Sequence, residues 1–250
     1  MWIRVEREPD VNGEIIIIAG PCAVESRAQV EACAEAVANL GITMFRGGAF
    51  KPRTSKDSFQ GLGLQGLKLL RDACQPRDLD VVTECLDVRD LEAVTDVAAW
   101  VQIGARNMRN YTLLREAGRC GRTVLLKRGL AATVKEWLLA AEYAGDDVVL
   151  CERGHRTFMD HCRFMLDLAA ISEAKQAGFR VIADPSHAAG RRDLVAPLAL
   201  AALAAGADGL IVEMHVEPDT ALCDGPQQLR PPELAALIAE AGKLWRALRS

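Results

Sequence analysis

Positively charged residues stand at the ends of several short apolar runs in this chain. The set comprises Arg46, Lys51 and Arg53, then Arg106, then Lys127 with Arg128, and then Arg153. Like charges held together repel one another unless an anion compensates them, and guanidinium groups match phosphate and carboxylate oxygens in pairs. A single residue of this kind is readily explained as a solvated loop charge. The repetition of such residues at the ends of consecutive apolar runs predicts a binding site for a multiply charged anion.

A second group combines one thiol, one imidazole and two carboxylates, on Cys22, His187, Glu213 and Asp224. Such a set suits a borderline divalent ion such as Mn²⁺, Fe²⁺, Co²⁺ or Zn²⁺, whereas a thiolate disfavours Mg²⁺ and Ca²⁺. Each residue also has a structural alternative. The alternatives are a core thiol for Cys22, a helix cap for His187, an ion-pair partner for Glu213 and a turn residue for Asp224. The metal hypothesis therefore requires that the fold bring all four together.

Eight apolar runs rich in β-branched residues alternate with helical segments. They lie at residues 15 to 20, 42 to 48, 80 to 86, 100 to 105, 123 to 129, 148 to 154, 180 to 186 and 209 to 215. Near-continuous apolar strands that alternate with helices indicate a parallel sheet in an α/β fold. No G-x-G-x-x-G turn follows the first run, which disfavours an open dinucleotide-binding sheet. We predict a single-domain (β/α)₈ TIM barrel, in which closure makes strands 7, 8 and 1 neighbours and the active site lies at the strand C-termini.

Local signals support the predicted helices. Thr133 and Glu136 have capping-box spacing just after the fifth run, which predicts a helix start. Glycines typical of helix C-termini stand at Gly41, Gly118, Gly145, Gly178 and Gly206. A last helix is expected from about residue 232 to 248. We expect an N-terminal leader at 1 to 14, followed by one catalytic barrel at 15 to 250.

Composition limits the range of partners. The net charge of −4 and the pI of about 5.7 argue against a broad nucleic-acid footprint. The charged N-terminus lacks a secretory pattern, and no 18-residue apolar window suggests a membrane span, so a cytoplasmic enzyme is expected. The eight cysteines have no C-x-x-C spacing, which predicts reduced core thiols for most of them.

Several long motifs resemble one enzyme family. They are Gly20-Pro21-Cys22-Ala23-Val24-Glu25-Ser26, residues 45 to 55 and 58 to 63, residues 102 to 108, Leu125-Leu126-Lys127-Arg128-Gly129, Cys151-Glu152-Arg153-Gly154, Asp184-Pro185-Ser186-His187, Val212-Glu213 and residues 224 to 229. In this order they resemble the type I β branch of the 3-deoxy-D-arabino-heptulosonate 7-phosphate (DAHP) synthases, over residues 12 to 240. The resemblance implies a metal-dependent barrel that condenses phosphoenolpyruvate with erythrose 4-phosphate and releases phosphate, the first step of the shikimate pathway.

The resemblance also implies individual roles. Cys22, His187, Glu213 and Asp224 would hold one divalent ion (Mn, Fe, Co or Zn). Phosphoenolpyruvate would be bound at its carboxylate by Arg46 and Lys51, and at its phosphate by Arg106, Lys127, Arg153 and the backbone of Gly104 and Ala105. The sugar phosphate would contact Arg53 and Thr54, with assistance from Arg156. The chemistry of the reaction, rather than the resemblance, suggests Lys51 or Glu84 for managing the protons of the attacking water. The alternative for Glu84 is an ion pair with one of the barrel cations.

Two alternatives and three further expectations accompany this hypothesis. The sister enzyme that makes 3-deoxy-D-manno-octulosonate 8-phosphate from arabinose 5-phosphate typically reads Lys-Ala-Asn-Arg-Ser where this chain has residues 51 to 55. A non-catalytic barrel partner would not need the four metal donors. We further expect a barrel-only form, weak or absent feedback inhibition by Phe or Tyr, and a homo-oligomer, either a dimer or a tetramer.

Overall fold

The computed structural model describes residues 15 to 249, and within them the eight predicted runs form a closed barrel of parallel strands in sequential order. The strands are β1 (Ile16–Gly20), β2 (Met44–Arg46), β3 (Asp80–Glu84), β4 (Trp100–Ile103), β5 (Thr123–Lys127), β6 (Val148–Glu152), β7 (Arg180–Ala183) and β8 (Gly209–Glu213). Strand β8 pairs with β1 over five residues, from Ile16 with Gly209 to Gly20 with Glu213. The predicted (β/α)₈ barrel is confirmed. The predicted leader at 1 to 14 lies outside the described residues.

Helices surround the barrel. They are α1 (Arg27–Asn39), α2 (Leu64–Cys74), α3 (Leu91–Thr95), α4 (Tyr111–Ala117), α5 (Val134–Tyr143), α6 (Leu168–Gln176), α7 (Pro185–Ala189), α8 (Val195–Ala204) and α9 (Pro231–Arg249). The predicted capping box at Thr133 and Glu136 starts α5. Of the five predicted terminal glycines, all but Gly118 have positive φ, the left-handed conformation that closes a helix.

The interior of the barrel is filled by alternate residues of the strands. Its apolar cluster includes Ile18, Val82, Leu125, Ile182 and Ile211. Side chains alternate between the two faces of a strand, so the residue two positions later faces the same interior, one layer nearer the C-terminal end. That next layer consists of Gly20 and seven polar residues: Arg46, Glu84, Gln102, Lys127, Arg153, Asp184 and Glu213. The barrel interior is therefore apolar in the layer of Ile18 and polar in the next layer, at the C-terminal mouth.

Gly20 has a steric function in this layer. Its φ is +147°, and a Cβ there would overlap the carbonyl oxygen of Arg46 on the neighbouring strand. The missing side chain lets strand β2 approach closely at the mouth.

A larger apolar layer packs the helices on the outside of the strands. Phe45, Leu70 and Trp137 are fully buried there, and Trp137 Nε1 donates to the carbonyl of Leu126 at 3.2 Å. All eight cysteines lie within the described residues and are free thiols. Six of them are buried, as predicted for most of the set, and Cys120 and Cys162 are half-buried. Between residues 15 and 249 no helix has the length and apolarity to cross a membrane.

Candidate metal and substrate site

A cavity of about 290 Å³ opens at the C-terminal mouth of the barrel. Its lining is mostly polar and carries seven cations. The predicted site residues that line it are Arg46, Lys51, Arg53, Thr54, Glu84, Gly104, Ala105, Arg106, Lys127, Arg153, His187 and Asp224. Cys22 and Glu213 are fully buried beside His187 and Asp224. The fold thus brings most of the predicted residues to one place.

The four predicted metal donors converge. One ligand atom from each of Cys22, His187, Glu213 and Asp224 lies within 4.8 Å of the other three. Glu213 ends β8, Cys22 lies two residues beyond β1, and Asp224 lies in the loop after β8. Asp224 has φ +52°, a left-handed backbone that Asp tolerates better than most residues. This convergence is the arrangement that the metal hypothesis required.

His187 belongs to a short helix rather than to the end of strand β7. Asp184 caps α7, accepting a hydrogen bond from the backbone N–H of His187 at 3.0 Å. Asp184 Oδ2 also lies 2.8 Å from His187 Nδ1, so Nε2 is turned toward the other donors. Burial lowers the pKa of His187, which favours the neutral ring that a metal needs. A carboxylate behind a ligating histidine is a common outer partner in metal sites.

Glu213 supports the fit of a cation to this cluster. Its Oε1 is buried and accepts no hydrogen bond from the described residues, although it lies 3.2 Å from Arg46 Nη2 and 3.4 Å from His187 Nε2. A buried anionic oxygen without a hydrogen bond is unfavourable unless another group compensates it. An ion among the four donors would supply that compensation, so the residues present fit a divalent metal.

The Cys22 thiol lies in a pair with a second thiol. Cys22 Sγ donates to Cys223 Sγ at 3.2 Å, and Lys51 Nζ donates to Cys22 Sγ at 3.1 Å. The hydrogen bond to Cys223, together with burial, raises the pKa of Cys22 well above its usual value. A bound cation would favour the deprotonated form of this thiol.

Two buried guanidinium groups face the cavity with unsatisfied donors. Arg46 Nη1 and Arg153 Nη1 are buried and have no hydrogen-bond partner among the described residues. Burial lowers the pKa of Arg153, and the attraction of Asp184 only partly offsets this effect. A buried cation that keeps a free donor is stabilised by an anionic ligand. We therefore call the deep part of the cavity, beside Arg46 and Arg153, the candidate anion site.

Lys127 links the candidate anion site to the metal donors. Its Nζ donates to Asp184 Oδ2 at 2.5 Å, and this aspartate is also the partner of His187. Burial raises the pKa of Asp184, but the charge of Lys127 and the contact with the His187 ring outweigh it and hold this pKa well below its usual value. The Asp184 carboxylate therefore stays ionised and contacts both Lys127 and His187.

Cations also line the outer part of the cavity. Arg106 Nη2 donates to Thr54 Oγ1 at 3.4 Å, which connects the loops after β4 and β2. Arg53 Nη1 lies 2.6 Å from Cys223 Sγ, next to the donor Asp224. A second anionic group bound here would lie between the metal donors and the solvent.

Glu84 lies in the wall of the cavity against the backbone of Gly104. A Cβ at Gly104 would overlap Glu84 Oε1, so with any other residue at this position the Glu84 carboxylate would have to move. Glu84 Oε2 accepts a hydrogen bond from Gln102 at 3.3 Å. One carboxylate oxygen of Glu84 thereby stays available to the cavity.

Two expected cations do not reach the cavity. The prediction that Arg128 belongs to the cationic mouth is wrong, because its guanidinium pairs with Glu152 and Asp167, both at 2.9 Å. Lys127 faces the interior, so its neighbour Arg128 must face outward. Arg156 is exposed and is not part of the cavity lining, so its role in binding the sugar phosphate stays a prediction.

Sequence reasoning missed Arg163 and Phe164, which also line the cavity. Arg163 Nη1 lies 3.5 Å from Asp224 Oδ2, and Phe164 packs between the guanidinium groups of Arg153 and Arg163, 4.3 and 5.5 Å from its ring centre. Backbone bonds from Arg163 and Phe164 to Ala189 and Ala188 hold this loop on helix α7. Both residues lie about ten positions beyond β6. At that distance, the end of the strand does not predict whether a loop residue reaches the cavity.

Comparison with known proteins gives the family. The family model described as the DAHP synthetase I family matches residues 10–247. The chain belongs to this family. Within this family, a phospho-2-dehydro-3-deoxyheptonate aldolase of Thermotoga maritima is 48% identical over 242 residues, or 95% of this chain and 72% of the relative.

Solved structures agree with the membership in the DAHP synthetase I family. The crystal structure of a T. maritima DAHP synthase has a TM-score of 0.91 at 47% identity and covers 95% of this chain and 71% of that one. A truncated form of the T. maritima synthase has a TM-score of 0.88 at 44% identity, over 95% of this chain and 88% of that one. A 2-dehydro-3-deoxyphosphooctonate aldolase of Syntrophotalea carbinolica is 33% identical, over 87% of this chain and 86% of the relative.

Proposed function

We propose that this chain is a DAHP synthase, a transferase that condenses phosphoenolpyruvate with erythrose 4-phosphate to DAHP and inorganic phosphate. The observation that carries the proposal is the meeting of two groups in one cavity. Two buried arginines with free donors lie beside a cluster of four metal donors. An anionic substrate and a cation-bound second substrate can therefore be held side by side. The family of the chain and the name of its Thermotoga relative support this reaction.

Phosphoenolpyruvate suits the candidate anion site. We assign its carboxylate to Arg46 and Lys51 and its phosphate to the buried Lys127 and Arg153. Arg106 reaches this phosphate from the outer part of the cavity, and the backbone of Gly104 and Ala105 lies beside it. Arg46 and Arg153 each hold an unpaired nitrogen before the ligand arrives. Arg46 is held by hydrogen bonds to the carbonyls of Pro21 and Cys22, and Arg153 stacks on Phe164. Because these contacts position both groups beforehand, little reorganisation is needed when the enol phosphate binds.

Erythrose 4-phosphate suits the outer part of the cavity. We assign its phosphate to Arg53 and Thr54, which places its aldehyde toward the donors Cys22, His187, Glu213 and Asp224. A divalent ion bound by these donors supplies Lewis-acid polarisation of the aldehyde oxygen. The residues at the mouth orient the aldehyde carbon toward C3 of phosphoenolpyruvate, which is a weak nucleophile and depends on such alignment.

Water must add at C2 of phosphoenolpyruvate before phosphate leaves, and one residue must accept its proton. Of the two candidates, Glu84 is the better base. Lys51 Nζ already donates to the carbonyl oxygen of Cys22 at 3.0 Å and to Cys22 Sγ at 3.1 Å. Glu84 keeps one carboxylate oxygen beside Gly104 at the cavity wall. We therefore assign the proton transfer to Glu84.

The donor set also limits the choice of metal ion. A thiol, an imidazole and two carboxylates favour Mn²⁺, Fe²⁺, Co²⁺ or Zn²⁺ over the hard ions Mg²⁺ and Ca²⁺. We propose one ion from the first group as the cofactor.

The choice of aldose separates this proposal from the phosphooctonate enzymes, to which the chain is also related at lower identity. With phosphoenolpyruvate saturating, we expect kcat/KM for erythrose 4-phosphate to exceed that for arabinose 5-phosphate by on the order of 100-fold. The physical reason is the loop at residues 51 to 55, in which Arg53, Thr54 and Ser55 line the cavity. We infer that these residues set the depth at which the sugar phosphate binds.

Phosphate release in a coupled assay measures both rates, with either aldose omitted as the blank. A preference for arabinose 5-phosphate would reassign the chain to the sister reaction. No turnover with either aldose, in protein that retains its metal, would favour a non-catalytic barrel.

A further inference from the structure

Two consecutive glutamines lie buried behind the metal donors, and the mechanism above does not use them. Gln227 is 2% exposed and Gln228 is fully buried. They end a short 3₁₀ turn that begins directly after Asp224. A buried primary amide is costly unless its oxygen and its nitrogen both find partners, so its contacts reveal what it holds in place.

Gln227 is bonded to one particular oxygen of Glu213. Its Nε2 donates to Glu213 Oε2 at 2.6 Å, whereas Glu213 Oε1 has no hydrogen bond among residues 15 to 249. The free Oε1 is the oxygen that lies 3.4 Å from His187 Nε2. Gln227 therefore engages the oxygen that turns away from the other donors.

The orientation of the Gln227 amide is itself fixed. Its Oε1 accepts from Arg163 Nη1 at 3.4 Å, and the same nitrogen lies 3.5 Å from Asp224 Oδ2. An arginine can only donate, so the Gln227 oxygen faces Arg163 and the nitrogen faces Glu213. If the amide nitrogen and oxygen of Gln227 were exchanged, its oxygen would face the carboxylate of Glu213, and the two would repel each other.

Gln228 holds the adjacent segments together. Its Oε1 accepts from the backbone N–H of Cys22 at 3.0 Å, and its Nε2 donates to the carbonyl of Cys223 at 2.9 Å. The start of the β1 loop is thus tied to the residue before Asp224. This tie keeps the turn that carries Gln227 in register with the donors.

We propose that Gln227 is a positioning residue of the metal centre, which holds Glu213 so that Oε1 alone is presented to the ion. The inference rests on the metal centre of the proposed function. A carboxylate with two free oxygens can bind an ion through either or both of them. With Oε2 held by Gln227, Glu213 would offer a bound ion only its Oε1.

The test is the metal affinity of the Gln227→Met variant, in which an apolar side chain of similar length replaces the amide. Direct titration of metal-free protein with Mn²⁺ is expected to give a Kd about 10- to 100-fold weaker than that of the wild type. The matched control is Gln102→Met. Gln102 is also a buried glutamine that donates to a buried glutamate, Glu84 at 3.3 Å, but this glutamate is not a metal donor. Its Mn²⁺ affinity should equal that of the wild type.

A second measurement separates positioning from general loss of structure. In a Glu213→Ala background the proposed role has nothing to act on, so adding Gln227→Met should weaken Mn²⁺ binding no further. If Gln227→Met does not fold, the same Mn²⁺ titrations are made with Gln227→Leu and judged in the same way.

Wild-type affinity in Gln227→Met, an equal loss in Gln102→Met, or additive losses in the double variant would each overturn the proposal for Gln227. A wild-type protein that binds no Mn²⁺, Fe²⁺, Co²⁺ or Zn²⁺ would instead overturn the metal centre itself.

Discussion

Replacing Cys22 with alanine is expected to weaken binding of a divalent metal by more than about 100-fold, since even outer-shell substitutions cost 10- to 100-fold in affinity. The synthase activity should fall with the metal content. The reason is geometric, because Cys22 supplies the only sulfur among four donors that lie within 4.8 Å of one another in the described part of the chain. Metal content per chain after dialysis, measured by elemental analysis, checks the first effect, and phosphate release checks the second.

The matched control is Cys74→Ala. Cys74 is also a buried free thiol, on helix α2, and burial raises its pKa to about 12. Its loss should lower the free energy of unfolding by the cost of a small cavity and leave the metal content unchanged. Equal metal content in Cys22→Ala and wild type would show that the four donors do not share an ion.

Replacing Arg153 with methionine is expected to reduce kcat/KM for phosphoenolpyruvate by roughly 30- to 5,000-fold, which corresponds to about 2–5 kcal/mol for a buried charge contact. Arg153 is buried, its Nη1 is unpaired, and burial lowers its pKa. An anionic phosphate would accept a hydrogen bond from this group, so removing the Arg153 guanidinium should weaken the binding of phosphoenolpyruvate. Steady-state kinetics with each substrate varied in turn measure the effect.

Arg128→Met is the contrasting variant. Arg128 follows Lys127 in sequence and is buried as well, but it pairs with Glu152 and Asp167 outside the cavity. Its removal leaves Glu152 buried without its cation, so the melting temperature should fall while KM for phosphoenolpyruvate stays near the wild-type value. If Arg153→Met kept wild-type kinetics, phosphoenolpyruvate would not be bound through Arg153.

The sequence was sufficient to predict the barrel because each of its strands is a short apolar run between helical segments. Closure then followed from the number of units, and with it the meeting of Cys22 and Glu213. The position of Arg128 could also have been predicted. A residue that follows an inward-facing lysine on a strand faces outward, because side chains alternate.

Other parts of the site depend on the paths of loops. His187 reaches the donors from helix α7, which begins just after Asp184 caps it, and Arg163 returns to the cavity through backbone bonds to the end of that helix. Gln227 acts through a single contact with Glu213, fourteen residues earlier in the chain. No periodic pattern encodes such contacts, because they are set by tertiary packing.

The most direct test of the account is phosphate release from phosphoenolpyruvate and erythrose 4-phosphate by the wild-type chain, before and after its metal is removed with a chelator. Activity should require both substrates, disappear in the metal-free protein and return when Mn²⁺ or Co²⁺ is added. Undiminished turnover by protein shown to contain no metal would contradict it.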